Sequence, residues 1–249
     1  MHCEVEPAMK MCDMHMHLVP GVDDGAMNAA MACDMAAMAL EQGIFCICAT
    51  PHSSAFAYDA EETLRRFEKI KGELACKFPE LEIYLGCEVF CEEWDMDRVL
   101  GRLSSGQFPS IHGTRYVLVE FDPGVDSREV RVCAEKLGEN GWIPVIAHME
   151  RYPRLQQNRM LVSSLREMGC LIQVNAYSLQ EEKDPAIREW ARFLVADGLA
   201  DLLGTDAHRT GHRPPRAAAG IRWLYEACEK THAEQIAWRN AVRILAEGT

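Results

Sequence analysis

Seven short apolar, β-prone runs recur along the chain between longer segments of helical periodicity, and this alternation constrains the fold more than any other feature. The strand candidates are 11–17, 44–49, 82–89, 116–121, 142–147, 170–175 and 200–205. The helix candidates are 28–42, 59–78, 126–140, 158–168 and 185–197, with a shorter one over 95–103 and two terminal helices over 216–230 and 233–247. The last of these is expected to pack on the outside of the fold. Alternating β and α elements imply an α/β architecture built on a parallel sheet. Polar residues gather at one end of the strands: His15 and His17 close the first, His52 follows the second, Glu88 closes the third and Glu120 the fourth. His148 ends the fifth, Asn175 the sixth, and Asp206 with His208 the seventh. In a closed parallel barrel these ends share one rim, the place where barrel enzymes hold their chemistry.

With no Pro/Gly/Ser-rich linker, repeat or low-complexity run in 249 residues, a single domain is expected, its core supplied by a 48% hydrophobic content. The formal charge is −12 and the basic residues are scattered, which argues against a nucleic-acid partner. The 11 cysteines come without a signal peptide, so they read as reduced thiols of a cytoplasmic protein. No stretch is long enough to insert in a membrane. Cys46-Ile47-Cys48 is too closely spaced and too apolar for a zinc knuckle and reads as buried strand.

Asp13-Met14-His15-Met16-His17 places two imidazoles on the same side of an extended strand, so both can reach one metal ion. Asp13 follows the same alternation but lies deeper, and is read as a group that supports a histidine. Acidic oxygens arrive from the next loop at Asp23-Asp24, and chemistry alone does not choose between the two. Ala49-Thr50-Pro51-His52 sets a histidine just beyond a strand. Glu88 and Glu120 each end an apolar run, where an ionised carboxylate needs a partner; a metal supplies one, and for Glu120 an arginine is the plain alternative. Asp206-Ala207-His208 repeats the i, i+2 arrangement. Arg151 and Arg213 stand near the same rim, and a guanidinium fork matches phosphate oxygens, although loop arginines can equally be solvated. The Met27, Met31, Met35 and Met38 stripe has helical spacing and is assigned to the core. Neither a P-loop nor a C-x5-R phosphate-cradling loop occurs, so a cysteinyl-phosphate route is excluded.

These motifs, in this order, resemble the PHP (polymerase and histidinol phosphatase) superfamily of metal-dependent phosphoesterases, and within it the bacterial tyrosine-protein phosphatases associated with capsule and exopolysaccharide clusters. The likeness is carried by residues 13–25, Ala49-Thr50-Pro51-His52, Gly86-Cys87-Glu88, Val119-Glu120-Phe121, His148-Met149-Glu150-Arg151-Tyr152, Gln173-Val174-Asn175-Ala176, Thr205-Asp206-Ala207-His208 and Arg213-Pro214-Pro215, and spans about 11–216. The resemblance implies a distorted (β/α)7 barrel with three divalent metal ions, of manganese, iron or zinc, at the C-terminal rim of the strands. It implies that His15, His17, Glu88 and Asp206 hold the first, that Glu88 bridges to a second shared with Glu120 and His148, and that Asp24, His52 and His208 hold the third. Arg151 and Arg213 correspond to the basic groups near the phosphate, with Arg209 and Arg216 as close neighbours of the latter. Met16, where a small polar residue is common, and a ten-residue lead before the first motif are departures that touch no ligand position.

The activity implied is hydrolysis of phosphotyrosine by metal-activated hydroxide, without a phosphoenzyme. His208 or a metal-bound water is a candidate general acid, and Asp206 is counted with Arg151, Arg213 and His208 among the catalytic residues. The partner implied is a bacterial tyrosine kinase with a flexible tyrosine-rich tail. Phe56, Tyr58 or Tyr152 could line a mouth for the ring. The alternatives are a small-molecule phosphatase of the histidinol-phosphate type and a non-catalytic metal-binding regulator.

Overall fold

The β/α alternation runs through residues 9–248, which a computed structural model describes; residues 1–8, most of the lead noted above, and Thr249 lie outside the described residues. The strands are β1 (Met11–Met16), β2 (Ile44–Ala49), β3 (Glu82–Leu85), β4 (Glu88–Phe90), β5 (Tyr116–Glu120), β6 (Ile143–Ile146), β7 (Leu171–Asn175) and β8 (Leu202–Gly204). The helices are α1 (Ala29–Glu41), α2 (Ser53–Lys77), α3 (Met96–Ser104), α4 (Ser127–Glu139), α5 (Arg159–Glu167), α6 (Pro185–Ala196), α7 (Ala218–Ala227), α8 (Lys230–Glu234) and α9 (Asn240–Leu245). Every strand pairing is parallel, in sheets of order β1-β2-β3 and β4-β5-β6-β7-β8.

The expected third strand, 82–89, is broken. Its first half pairs with β2 and its second with β5, and the break falls at Gly86-Cys87. A Cβ on Gly86 would lie 3.2 Å from both Cys48 Sγ and Thr50 Cγ2, so the glycine lets this stave press against β2. The stave still runs on beside the end of β2: Gly86 N donates to Ala49 O at 2.8 Å and Glu88 N to Pro51 O at 3.1 Å. The other seam closes through His17 N to Ala207 O at 2.9 Å and Asp206 N to His15 O at 2.7 Å. The result is a ring of seven staves, one of them broken, with the strand ends of the sequence reading on one rim.

Polar caps fix the helix starts. Asn28, Asp126, Asn158 and Asp184 each accept a hydrogen bond from the first turn, worth about 1 kcal/mol apiece. Asp59 also caps a turn, accepting from Glu62 N at 2.9 Å, but a further helical stretch precedes it, so α2 starts at Ser53 and kinks at Asp59. Strands β1, β2 and β5 to β8 are buried almost throughout, which is why they read as apolar runs. Ile47, Val119, Ile146 and Val174 pack in one cluster with Met35, Phe67, Leu137 and Leu194 of the surrounding helices. Of the methionine stripe only Met35 is fully buried, while Met27 is exposed; Ala32, Ala36 and Ala39 complete the buried face of α1.

The terminal helix sits differently from expectation. Helix α8 passes through a π turn (Gln235–Arg239) into α9, and Ala241, Ile244 and Leu245 pack with Cys12, Cys46, Leu118, Val145 and Leu202. Lys10 Nζ lies 4.2 Å from the centre of the Trp238 ring, and Asn240 Nδ2 donates to Asp201 O at 2.9 Å. Those partners mark the N-terminal ends of the strands, so this helix covers the mouth opposite the polar rim. Among the described residues, no helix is long and apolar enough to cross a membrane.

Candidate metal centre

His15 and His17 are fully buried with their Nε2 atoms 3.3 Å apart. Each ring is held from behind through Nδ1: His15 lies 3.3 Å from Gln173 Oε1, and His17 lies 2.8 Å from Asp23 Oδ2. With Nδ1–H donated in this way, both Nε2 lone pairs point at the same spot, the usual posture of metal-binding histidine. Glu88 lies across that spot, Oε1 3.1 Å from His15 Nε2 and Oε2 3.1 Å from His17 Nε2, while Asp206 Oδ1 is 3.5 Å from both nitrogens. Beneath them, Asp13 accepts from His15 N, Thr205 N and Thr205 Oγ1, stitching β1 to the end of β8; burial raises its carboxyl to about 6 despite those donors. Gly204 makes room, since a Cβ there would come within 2.7 Å of His15 Cβ.

Two more groups adjoin the first. His52 Nδ1 is 3.1 Å from Glu88 Oε2 and 3.0 Å from Glu120 Oε1. Asp24 Oδ1 is 3.4 Å from His52 Nε2 and 3.3 Å from His208 Nε2. The adjacent acids therefore do different work: Asp24 turns into the ring nitrogens, whereas Asp23 braces His17 and accepts the backbone N–H of His52 and Gly25. Three sets could each hold a cation: His15, His17, Glu88 and Asp206; His52, Glu88 and Glu120; and His17, Asp24, His52 and His208. His148 stands outside these sets, with its Nε2 3.1 Å from Glu88 Oε1 and its ring stacked near His15. Its backbone N–H donates to Gln173 Oε1, so one glutamine braces both rings.

Electrostatics and an unmet polar atom agree with a cation here. Burial works against ionised Glu88 and Asp206, yet the surrounding histidines hold both well below the usual carboxylate range. Burial likewise opposes charge on His52, but its hydrogen bonds to Glu120 and Glu88 raise it to about 10. His208 Nε2 is buried without a hydrogen bond, which is costly unless another partner completes it. Mixed imidazole and carboxylate donors suit zinc, manganese or iron. Backbone strain concentrates on the same rim: His148 (φ 33°), Asp206 (φ 54°) and Arg213 (φ 52°) all occupy the left-handed region.

Arg151 Nη1 donates to Asp206 Oδ2 at 2.6 Å, and Arg213 Nη2 donates to the same oxygen. Both guanidiniums are about one-third exposed and border a cavity of about 270 Å³ with His52, Glu88, Glu120 and His148. The other basic candidates point elsewhere. Arg209 Nε donates to Asp24 O at 3.0 Å, and Arg216 faces Glu181. Arg66, from the middle of α2, donates to Pro20 O and Gly21 O, so the loop that carries Asp23 and Asp24 is clasped by an arginine at each end. Neither this clasp nor the bracing by Gln173 and Asp23 has a local sequence signal, because the partners lie far apart in the chain or are hidden beside a plausible ligand.

The candidate ring-binding residues, for which ordinary packing is the plain alternative, fare unevenly. Phe56 is completely buried and belongs to the core, because the early start of α2 turns it inward. Tyr58 is 94% exposed and does not line the cavity. Tyr152 does line it, with its hydroxyl accepting from Phe121 N at 3.2 Å. Phe90, and Phe121 from the Val119-Glu120-Phe121 motif, are the other aromatic walls.

The family described as "Capsular polysaccharide synthesis, CpsB/CapC" matches residues 11–246. The chain belongs to the CpsB/CapC family. It is 27% identical to the tyrosine-protein phosphatase CpsB of Streptococcus agalactiae over 242 residues, 94% of this chain and 98% of the relative. It is 31% identical to the tyrosine-protein phosphatase YwqE of Bacillus subtilis over 209 residues, 82% of this chain and 79% of that one. Among solved structures, one from work on YwqE of Bacillus subtilis and CpsB of Streptococcus pneumoniae, described as metal-dependent tyrosine phosphatases, superposes with a TM-score of 0.83 at 27% identity. That match covers 96% of both chains, so the polar rim of this CpsB/CapC chain lies within the shared barrel.

Proposed function

We propose that this CpsB/CapC chain is one PHP-type unit that hydrolyses phosphotyrosine on a polypeptide with divalent metal ions held at the barrel rim. Asp206 carries this reading: its Oδ1 faces the histidine nitrogens while its Oδ2 takes both guanidiniums, so one carboxylate joins a cation site to a phosphate site. The naming of the Streptococcus and Bacillus relatives as tyrosine-protein phosphatases supports the substrate class.

His15, His17, Glu88 and Asp206 would hold one ion. A neutral imidazole offers a single lone pair, so His52 cannot serve two sets. With Nδ1–H donated to Glu120, His52 keeps Nε2 for a second ion with Asp24 and His208, and His148 Nε2 is left to join Glu88 and Glu120 at a third. When bound, divalent ions supply Lewis acidity that lowers the pKa of water and offsets charge on phosphoryl oxygens. Arg151 and Arg213 are placed to grip the non-bridging oxygens, releasing Asp206 Oδ2 as they do so. His208 suits ligation better than proton donation, since its Nδ1 is committed to Asp206 O and its Nε2 faces Asp24. Phenolate is a fairly good leaving group, and Tyr152, Phe121 and Phe90 offer its ring a wall. A flexible tyrosine-rich tail of a bacterial kinase, reaching the rim from the cytoplasmic face of the membrane, fits as the physiological substrate.

Manganese-loaded protein is expected to favour a phosphotyrosine peptide over histidinol phosphate by at least about tenfold in kcat/KM. Turnover of neither by fully loaded protein would remove the phosphatase reading. A preference for histidinol phosphate would move it to small-molecule chemistry.

A further inference from the structure

We infer that the groove running from the metal centre along α3 seats the polypeptide on one side of the phosphotyrosine, with Arg102 reading an acidic side chain there. The inference rests on the proposed phosphotyrosine hydrolysis. A cavity of about 420 Å³ adjoins the rim cavity and shares His52, Phe90 and Glu120 with it, so the two form one continuous depression. One wall is a single face of α3 and its cap, with Asp95, Arg98, Val99 and Arg102 at helical spacing; Ser53, Ser54 and Ala57 of α2 also line it. From Asp95 to Arg102 that face rises about 10 Å. Three residues of extended chain cover about the same distance. A small phosphomonoester held at the metals would leave this groove unused.

The charges in the groove differ in what they already hold. Arg98 is tied to Asp95, Glu120 faces His52, and Glu92 on the same lining has no ion-pair partner among the described residues. Arg102 has no ion-pair partner among the described residues; its guanidinium carbon lies 5.1 Å from the centre of the Phe108 ring, which orients the side chain on the groove wall. An unpaired guanidinium lining a depression that opens on the reaction centre complements a carboxylate on the substrate chain. Phe90, 39% exposed at the junction of the two cavities, offers apolar contact to the residue next to the phosphotyrosine.

The test moves one aspartate, or in a second set one lysine, through the three positions on either side of phosphotyrosine in an alanine-rich peptide. Manganese-loaded wild type, Arg102→Ala and Arg102→Glu are compared, with free phosphotyrosine as the reference substrate. Wild type is expected to gain about fivefold in kcat/KM at one position, through KM. Arg102→Ala should flatten the profile, and Arg102→Glu should prefer lysine at that position. Free phosphotyrosine should be turned over equally by all three, which also shows that the variants fold. A flat wild-type profile, a preference that survives Arg102→Ala, or a parallel loss on free phosphotyrosine would overturn the inference. Absence of any turnover of either the peptides or free phosphotyrosine by wild type would instead overturn the proposed function.

Discussion

Asp206→Asn is expected to lower kcat/KM on a phosphotyrosine peptide by about a thousandfold, roughly 4 kcal/mol of transition-state stabilisation, and to reduce bound metal. The substitution isolates charge. Asparagine has nearly the same shape and tolerates the left-handed φ of 54° that most side chains would resist. What changes is that a buried carboxylate facing His15, His17, Arg151 and Arg213 becomes a neutral amide. A cation then loses an anionic donor, and the two guanidiniums lose the acceptor that sets their position. Metal content after dialysis, measured beside steady-state turnover, checks both parts. Unchanged metal and unchanged turnover would take Asp206 out of the site.

Removing the arginines should separate phosphate binding from metal binding. Arg151→Ala is expected to cost about a hundredfold in kcat/KM while leaving metal content as in wild type. Arg213→Gly should do the same; glycine is the better probe there because the backbone already sits at φ 52°. Each variant leaves Asp206 one guanidinium partner, so neither abandons a buried charge. Loss of metal in parallel with activity would show that the arginines act by holding Asp206 rather than by gripping phosphate.

The rim was legible because strand period and strand ends are local properties. His15 and His17 at i, i+2, and carboxylates closing apolar runs at Glu88 and Glu120, carry their meaning within a few residues. The resemblance pointed to Asp24, but residue chemistry alone did not divide the work of Asp23 and Asp24, since two adjacent identical side chains differ only in which way the folded loop turns them. The break at Gly86 was hidden inside a run that reads as one strand, because the close approach to Cys48 and Thr50 that the glycine permits comes from residues far away in the sequence. Phe56 was misplaced because α2 begins a turn and a half before the Asp59 cap that marks a helix start in the sequence. The clasp of Arg66 and Arg209 depends on backbone carbonyls, which carry no sequence signature.

Ions held by these rim side chains are expected to make the phosphatase work. Stripping the protein with chelator, then titrating manganese back while counting bound ions and phosphate released from a phosphotyrosine peptide, tests it most directly. Turnover should be absent in the stripped protein and rise with loading until three ions per chain are bound. Full turnover by protein shown to contain no metal would contradict the account.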